Sequence, residues 1–215
     1  MAPATRNPQP ATRNPQPATR NPHPKTDMQA LTLLRIQAHA NCLANLRLHT
    51  AMAVLSPADL LATRTSFFPT LMATLIHILM VDQYYIDVLH GDSAARETAL
   101  AFVSDDTLTA LAARQRVSDE RLLRWLSAAD GAALERTVHM PRESGRIQTD
   151  AAAHMLQHLF MHQTHHRGQV HAMLSGTSVP PPPLDEFLMP SEPHLRTAEM
   201  AALGWDEASV YGLRL

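Results

Sequence analysis

Apolar residues recur at intervals of three and four along most of the sequence, which is the spacing of one face of an α-helix. Four long stretches follow this pattern, with expected bounds Asp27 to Val54, Ser66 or Pro69 to Leu89, 105 to 130, and Thr149 to Gly176. Their ends carry residues that often cap helices, such as Asp27, Thr149 or Asp150 at starts and glycine after ends. No stretch alternates as a strand would, so the pattern predicts an all-α four-helix bundle.

Two of these stretches have features that affect how the helices pack. The second is apolar nearly all round, which predicts burial on most of its sides, in part at a subunit interface. The fourth follows residues 132–148, which we expect to be an irregular connection with a turn at Glu143 to Gly145. The links before the third and fourth helices are long enough for crossover connections.

The two ends of the chain differ from the predicted bundle. Residues 3–23 are three heptads, PATRNPQ, PATRNPQ and PATRNPH, without a large apolar residue. Burial therefore cannot offset the entropy of ordering, and we predict a disordered tail over residues 1–27. Residues 28–189 then form the bundle. Residues 190–215 form a C-terminal extension that packs on the bundle, with a short helix from about Pro193 to Leu203.

Charge and composition narrow the function classes. The 215 residues carry a net charge of −2, and the tail contributes four cations and one aspartate, +3, which leaves about −5 for the bundle and extension. Such a surface disfavours nucleic acid as a partner.

The longest apolar run, Leu71 to Val81, is too short to cross a bilayer, and no signal-peptide pattern opens the sequence. We expect a cytoplasmic protein. The single cysteine, Cys42, excludes an internal disulfide and is expected in the core.

Histidines are concentrated in the fourth predicted helix, where six of the thirteen lie between His154 and His171. At about 100° per residue, His162 and His166 fall one turn apart within the apolar arc of this helix. His158 and His165 fall at the edge of the arc. Gln169 lies within about 20° of His162, which makes it a candidate to orient a ligand or contact a substrate.

A third histidine also points into apolar surroundings. His77 lies in the second helix on the face that carries Val81 and Tyr84. Three imidazoles with one open position form a catalytic type of site for Zn²⁺ or Ni²⁺. The alternative is that these are core histidines bonded to backbone groups or water. A di-iron carboxylate site is disfavoured, because no helix carries Glu-x-x-His.

The two motifs around these histidines resemble those of the DinB family of metal-binding four-helix bundles (DinB/YfiT-like). They are FFPTLMATLIHILMVDQYYIDVLHG at 67–91 and HLFMHQTHHRGQVHAML at 158–174, and the similarity extends over about 28–189. The resemblance implies that His77, His162 and His166 bind a Zn²⁺ or Ni²⁺ ion, and that the protein is a homodimer. The family includes thiol-dependent transferases and isomerases.

Three functions remain open from the sequence. The first is a metal-dependent enzyme that acts on a small molecule, of the thiol S-transferase or hydrolase type. A transferase would use a low-molecular-weight thiol as its second reactant. Tyr84, His158, His165 and Gln169 are the enzyme's candidate substrate or ligand-orienting contacts. The second is a non-enzymatic stress-response protein with a structural metal. The third is an interaction module that uses the apolar face of the second helix. No inward carboxylate is evident, which favours thiol transfer over hydrolysis.

Two residues of the fourth helix carry further expectations. Arg167 lies away from His162 and is expected at the surface or in a contact between helices. Gly168 costs about 1 kcal/mol relative to alanine within a helix, so we expect another backbone to approach it closely.

Overall fold

The computed structural model describes residues 24–104, 107–185 and 189–211 of the chain. Four long helices make up most of it, and they are α1 (Pro24–Met52), α3 (Leu71–His90), α5 (Leu108–Ala128) and α7 (Ala152–Leu174). The fold is the predicted helical bundle. Helix α1 begins at Pro24, three residues before the expected cap at Asp27, and proline is well suited to a first helical position because its missing N–H needs no partner there. The rest of the predicted tail, residues 1–23, lies outside the described residues.

The α3 helix is the centre of the bundle and packs against both α5 and α7. It begins where the Thr70 hydroxyl accepts a hydrogen bond from the Ala73 N–H, and it ends at Gly91, whose positive φ of 77° suits glycine. It is long and apolar enough to cross a membrane, but 67% of its most apolar 18-residue segment is buried inside the protein. Helix α3 is therefore a core helix, and its apolar sides are covered by the chain itself.

Two clusters of buried apolar residues lie one at each end of the bundle. One cluster joins the beginnings of α1 and α7 to the ends of α3 and α5. The other joins the ends of α1 and α7 to the beginnings of α3 and α5. Helices α1 and α7 therefore run in one direction and α3 and α5 in the other, which requires a crossover in the link between α3 and α5 but none before α7, since α5 ends where α7 begins.

The connection before α7 is not irregular, and this expectation was wrong. After a short helix, α6 (Gly131–Glu135), the chain forms an antiparallel hairpin of β1 (Thr137–Pro141) and β2 (Ile147–Ala151). Val138 and Met140 of β1 point into the core, in the alternation of a half-buried strand. Each strand has five residues, which is too short for this alternation to stand out from the sequence. Because β2 extends to Ala151, α7 begins at Ala152 rather than at Thr149 or Asp150.

Shorter helices complete the fold. They are α2 (Pro57–Leu61), α4 (Ala95–Leu100), α8 (Thr197–Leu203) and α9 (Glu207–Tyr211). The predicted C-terminal helix is a 3-10 turn at Pro193–Leu195 followed by α8, and α4 and α9 were not anticipated. Met200 of α8 and Tyr211 of α9 pack in one cluster with Cys42 of α1, so the described part of the extension covers one side of that helix.

Candidate metal centre

Three histidines from the two central helices meet in the structure. His77 comes from α3, and His162 and His166 come from successive turns of α7. One nitrogen from each ring can be chosen so that all three lie within 4.8 Å of one another. The closest pair is Nε2 of His77 and Nε2 of His162, 3.0 Å apart. Within the described residues, no fourth histidine, cysteine or carboxylate joins this group.

The packing of α3 against α7 explains this meeting. The two helices run antiparallel, so the first half of α3 lies beside the second half of α7. Residues four apart on a helix point the same way, which turns both His162 and His166 towards His77. The ring centroids lie 5.0 Å apart for His77 and His162, 4.6 Å for His77 and His166, and 4.4 Å for the α7 pair.

The electrostatics of the triad favour neutral imidazoles. Burial, followed by repulsion from His166, lowers the pKa of His77 to about 4. Burial and the neighbouring histidines lower the pKa of His162 to about 3. Burial also lowers the pKa of His166. All three rings are therefore neutral near pH 7, which is the form that binds a metal ion.

The donor set fits a divalent transition metal. Three imidazole nitrogens are ligands that Zn²⁺ and Ni²⁺ accept. Tetrahedral ligation at metal–nitrogen distances of about 2.1 Å would separate two nitrogens by roughly 3.4 Å. The 3.0 Å between the Nε2 atoms of His77 and His162 is close to this separation. The Nδ1 atom of His162 is buried without a hydrogen-bond partner, so this ring is not held by its far nitrogen.

Gln169 is hydrogen-bonded to one histidine of the triad. Its Oε1 atom lies 2.8 Å from Nδ1 of His166, so that nitrogen carries the proton and donates it. The lone pair of His166 is then on Nε2, as metal binding through that atom requires. The Gln169 amide also donates to Nε2 of His165 at 3.2 Å. Gln169 thus lies in the position expected of a ligand-orienting residue.

The other sequence candidates lie at different distances from the triad. His165 is exposed, with its ring 4.9 Å from that of His166. His158 is exposed and is 6.3 Å from His162. Tyr84 belongs to another part of the molecule, because its hydroxyl donates to the Pro141 carbonyl of the hairpin at 2.8 Å. The hairpin was not expected from the sequence, and neither was this position of Tyr84.

An aromatic side chain beside the triad was missed. The Phe68 ring lies 4.4 Å from that of His77 and 5.7 Å from that of His166, in the segment before α3. Phe67 packs edge-on against Phe68 and is 81% exposed. The available signal was the Phe-Phe pair at the start of the first motif, to which we had assigned no role. These rings give the open side of the triad an apolar border.

A second polar cluster lies within the bundle and was also missed. Arg167 of α7 is buried and donates through Nη1 to the side-chain oxygens of Asn41, Asn45 and Gln163. Asn45 in turn donates to both carboxylate oxygens of Asp119 at 3.1 Å. Arg167 is therefore an inter-helix contact, which is one of the two positions expected for it.

The cluster extends to the central helix. Gln115 of α5 donates to Asp82 of α3 at 2.8 Å and to Asp119 at 3.1 Å. The Arg167 network, as we call Asn41, Asn45, Asp82, Gln115, Asp119, Gln163 and Arg167, therefore takes residues from all four long helices. The expectation for the neighbouring Gly168 was wrong, because a Cβ built there meets nothing within 4 Å.

Comparison with known proteins agrees with this site. A search of curated proteins finds no match for the chain. The sequence model of the DinB family matches residues 29–196, or 168 of the 215 residues, and this range includes all three histidines of the triad. The chain therefore belongs to the DinB family.

Proposed function

We propose that the protein is an enzyme that binds one divalent transition metal, Zn²⁺ or Ni²⁺, through His77, His162 and His166, and acts on a small molecule. The supporting observation is the triad of neutral imidazoles that converge from α3 and α7. Structural zinc sites commonly use four protein ligands, whereas catalytic sites use three and keep one position open. His77 and His162 are only partly buried, which supports access from solvent.

Thiol transfer is the reaction type that the surroundings support best. A bound divalent ion would lower the pKa of a thiol or water at the open position. The pKa of water lies far above that of a thiol of the cysteine type, which is about 8.5. Among the described residues, no hydrogen bond or ion pair links the triad to a carboxylate that could serve as a base. Such a site suits a low-molecular-weight thiol better than water, and hydrolysis is the second choice.

The chain's own residues would then bind and orient the reactants. Gln169 holds the His166 ring in place through Nδ1. Phe68 presents an apolar surface beside His77, which would exclude water from one side of the open position. His165 and His158 are the nearest exposed imidazoles and are available to accept the proton that a thiol releases.

We also propose that the protein is a cytoplasmic homodimer. Exposed apolar side chains of α1 and α7 line one groove, with Leu33 68% and Met161 66% exposed. Contact between two copies through this groove would cover both. The molar mass of Leu33→Glu and Met161→Glu proteins, measured by light scattering, tests this arrangement. A wild-type monomer, or dimers in both variants, would contradict it.

The reaction is tested with protein that is stripped by a chelator and reloaded with Zn²⁺ or Ni²⁺. We expect about one ion per chain and transfer of glutathione or another small thiol to electrophilic acceptors by the loaded protein alone. His154→Ala is the matched control, because this exposed histidine of α7 pairs with Asp150 and lies outside the triad.

The competing function is a structural metal. Loaded protein that is much more stable than stripped protein, yet transfers no thiol and hydrolyses no substrate tested, would favour that function over the enzyme. Such a result would leave the metal site intact and refute the catalytic part of the proposal.

A further inference from the structure

A cleft of about 720 Å³ lies along the second half of α3, between that helix, α4 and the hairpin. The residues that give it chemical character are two tyrosines, a methionine and three arginines, namely Tyr84, Tyr85, Met80, Arg96, Arg142 and Arg146. Its volume is within the usual range for sites that bind small molecules. No role in the proposed chemistry has so far been given to this cleft.

The cleft carries excess positive charge. Its three arginines come from α4 and the hairpin, and its one acidic residue, Glu143, is exposed. None of these arginines forms an ion pair with a carboxylate among the described residues. The chain as a whole has a net charge of −2, so this local excess of cations is not a general property of the protein. Unpaired guanidinium groups in a concave site favour an anionic ligand.

Arg142 is held in a fixed orientation within the cleft. Its Nε donates to Gln148 and its Nη2 to the Tyr85 hydroxyl, each at 3.2 Å. Its guanidinium lies 5.6 Å from the ring centroids of both Tyr84 and Tyr85. The remaining nitrogen, Nη1, has no hydrogen-bond partner among the described residues. A guanidinium that is already positioned loses little freedom when it binds a carboxylate or phosphate.

The rest of the cleft is apolar. Met80 and the two tyrosine rings form its floor, and Leu100 of α4 is exposed at its edge. The burial of apolar surface would favour a ligand that carries an apolar or aromatic body as well as an acidic group. The combination points to a small organic acid rather than to an inorganic anion.

The cleft and the triad lie along the same pair of helices. Tyr84 follows His77 by seven residues on α3, a distance of roughly 10 Å at 1.5 Å per residue. On the α7 side, the Tyr85 ring lies 5.5 Å from His158, which lies 6.3 Å from His162. A small acid that is bound at Arg142 could therefore extend its other end towards the histidines.

We propose that this cleft binds the acidic group of a small apolar carboxylic or phosphoric acid, with Arg142 as the central contact and Arg96 as a second. The cleft would thereby select acidic substrates for the metal-dependent reaction. This assignment of a substrate class rests on the function proposed above, whereas binding to the cleft does not depend on a metal ion.

Calorimetric titration tests the binding, with benzoate and phenyl phosphate as probes and uncharged benzamide as the matched control. We expect saturable binding of at least one acid to the full chain, both as purified and after metal removal. Arg142→Gln and Arg96→Gln should each weaken it about tenfold or more, through loss of a charge-assisted hydrogen bond. Arg124→Gln, at an exposed arginine of α5, should leave it unchanged.

The outcomes separate the cleft from the metal site. Equal binding of benzamide, no binding of either acid, or full affinity in both cleft variants with native circular dichroism would overturn the assignment. The link to the reaction is tested by proton relaxation of the bound acid in Co²⁺-loaded and Zn²⁺-loaded protein. Faster relaxation with Co²⁺ supports it. Equal relaxation in the Co²⁺-loaded and Zn²⁺-loaded proteins would show that the acid binds far from the ion, and would refute the role of the cleft in substrate selection.

Discussion

The histidine triad and the Arg167 network lie on different sides of α7, and the residues that belong to them are neighbours in sequence. His162 and Gln163, and likewise His166 and Arg167, differ by one position, or about 100° around the helix. In the network, Asn45 of α1 bridges the Arg167 cation to Asp119, and Gln115 of α5 joins Asp119 to Asp82. In the triad, Nε2 of His77 and Nε2 of His162 share one hydrogen bond, and Nδ1 of His162 has no partner.

This difference gives the two clusters different roles, since the network stabilises the fold and the triad is placed to bind a ligand. Nη1 of the buried Arg167 donates to three acceptors within the fold, and the network ties four helices together, although Asp82 Oδ1, Gln115 Oε1 and Gln163 Nε2 lack partners. Among the described residues, no carboxylate or amide other than the acceptor Gln169 is hydrogen-bonded to the three neutral imidazoles, so they have nitrogen lone pairs available for a ligand from outside. The comparison therefore predicts that changes in the network alter stability and that changes in the triad alter metal binding.

The largest expected effect is on stability. Arg167→Met should lower the free energy of unfolding by about 3–5 kcal/mol, because it leaves the buried Asp119 carboxylate without its cation and removes the Arg167 hydrogen bonds to Asn41, Asn45 and Gln163. Unfolding in urea measures this value. Arg124→Met, at an exposed position of the adjacent α5, should change it by less than about 1 kcal/mol. If both variants unfold at the same urea concentration, the network does not stabilise the bundle.

The pH dependence of stability gives the second test. Burial, and next the charge of Asp119, raises the pKa of Asp82 to about 8. A folded-state carboxyl with a raised pKa keeps a proton that the unfolded chain has released, so the free energy of unfolding falls as pH rises towards 8. The six histidines with lowered pKa values act in the opposite sense up to about pH 7.5, because unfolded imidazoles with a pKa of about 6.5 are still partly protonated there.

Between pH 7.5 and 8.5 we therefore expect the free energy of unfolding to fall by roughly a few tenths of a kcal/mol per pH unit. Asp82→Asn should remove most of this slope, whereas Asp185→Asn, at an exposed position, should retain it. Urea unfolding at several pH values measures the slope. A wild-type protein whose stability is flat or rises over this interval would contradict a protonated Asp82 in the fold.

The smallest expected effect concerns the residue that supports the triad. Gln169→Leu removes the acceptor for His166 Nδ1 and should weaken metal affinity by about tenfold, with little change in stability. Gln163→Leu removes an acceptor of Arg167, so it should lower the free energy of unfolding and leave metal affinity nearly unchanged. Competition with a chromophoric chelator measures the affinities. Equal loss of metal affinity in both variants would mean that the two clusters are not independent.

Helical periodicity was sufficient to predict the long helices and the phase of the triad. The His162 and His166 pair falls on the apolar arc because α7 is a regular helix, and His77 lies on the corresponding face of α3. The Arg167 network was not predicted, because Arg167 was expected at the surface or in a contact between helices and its partners on the other helices were not identified. Its sequence signal is a repeated pair of polar residues four apart, as in Asn41 and Asn45, Gln115 and Asp119, and Gln163 and Arg167.

The hairpin and its cleft could not be inferred from periodicity. Strand β1 has only five residues, and only two of its side chains point into the core. The pairing of Thr137 with Ala151 joins residues that are not close in sequence, so no local pattern reports it. Tyr84 was therefore associated with the triad through its helical phase, although its hydroxyl is bonded to the hairpin. Contacts between elements, rather than patterns within one, determine these positions.

Metal analysis of two adjacent histidine variants tests the central claim most directly. His166 is a member of the triad, whereas His165 is exposed and about 100° away on the helix. After loading with Zn²⁺ and removal of free ion, we expect about one ion per chain in the wild type and in His165→Ala, and almost none in His166→Ala. Retention of the ion by His166→Ala together with its loss from His165→Ala would contradict the account.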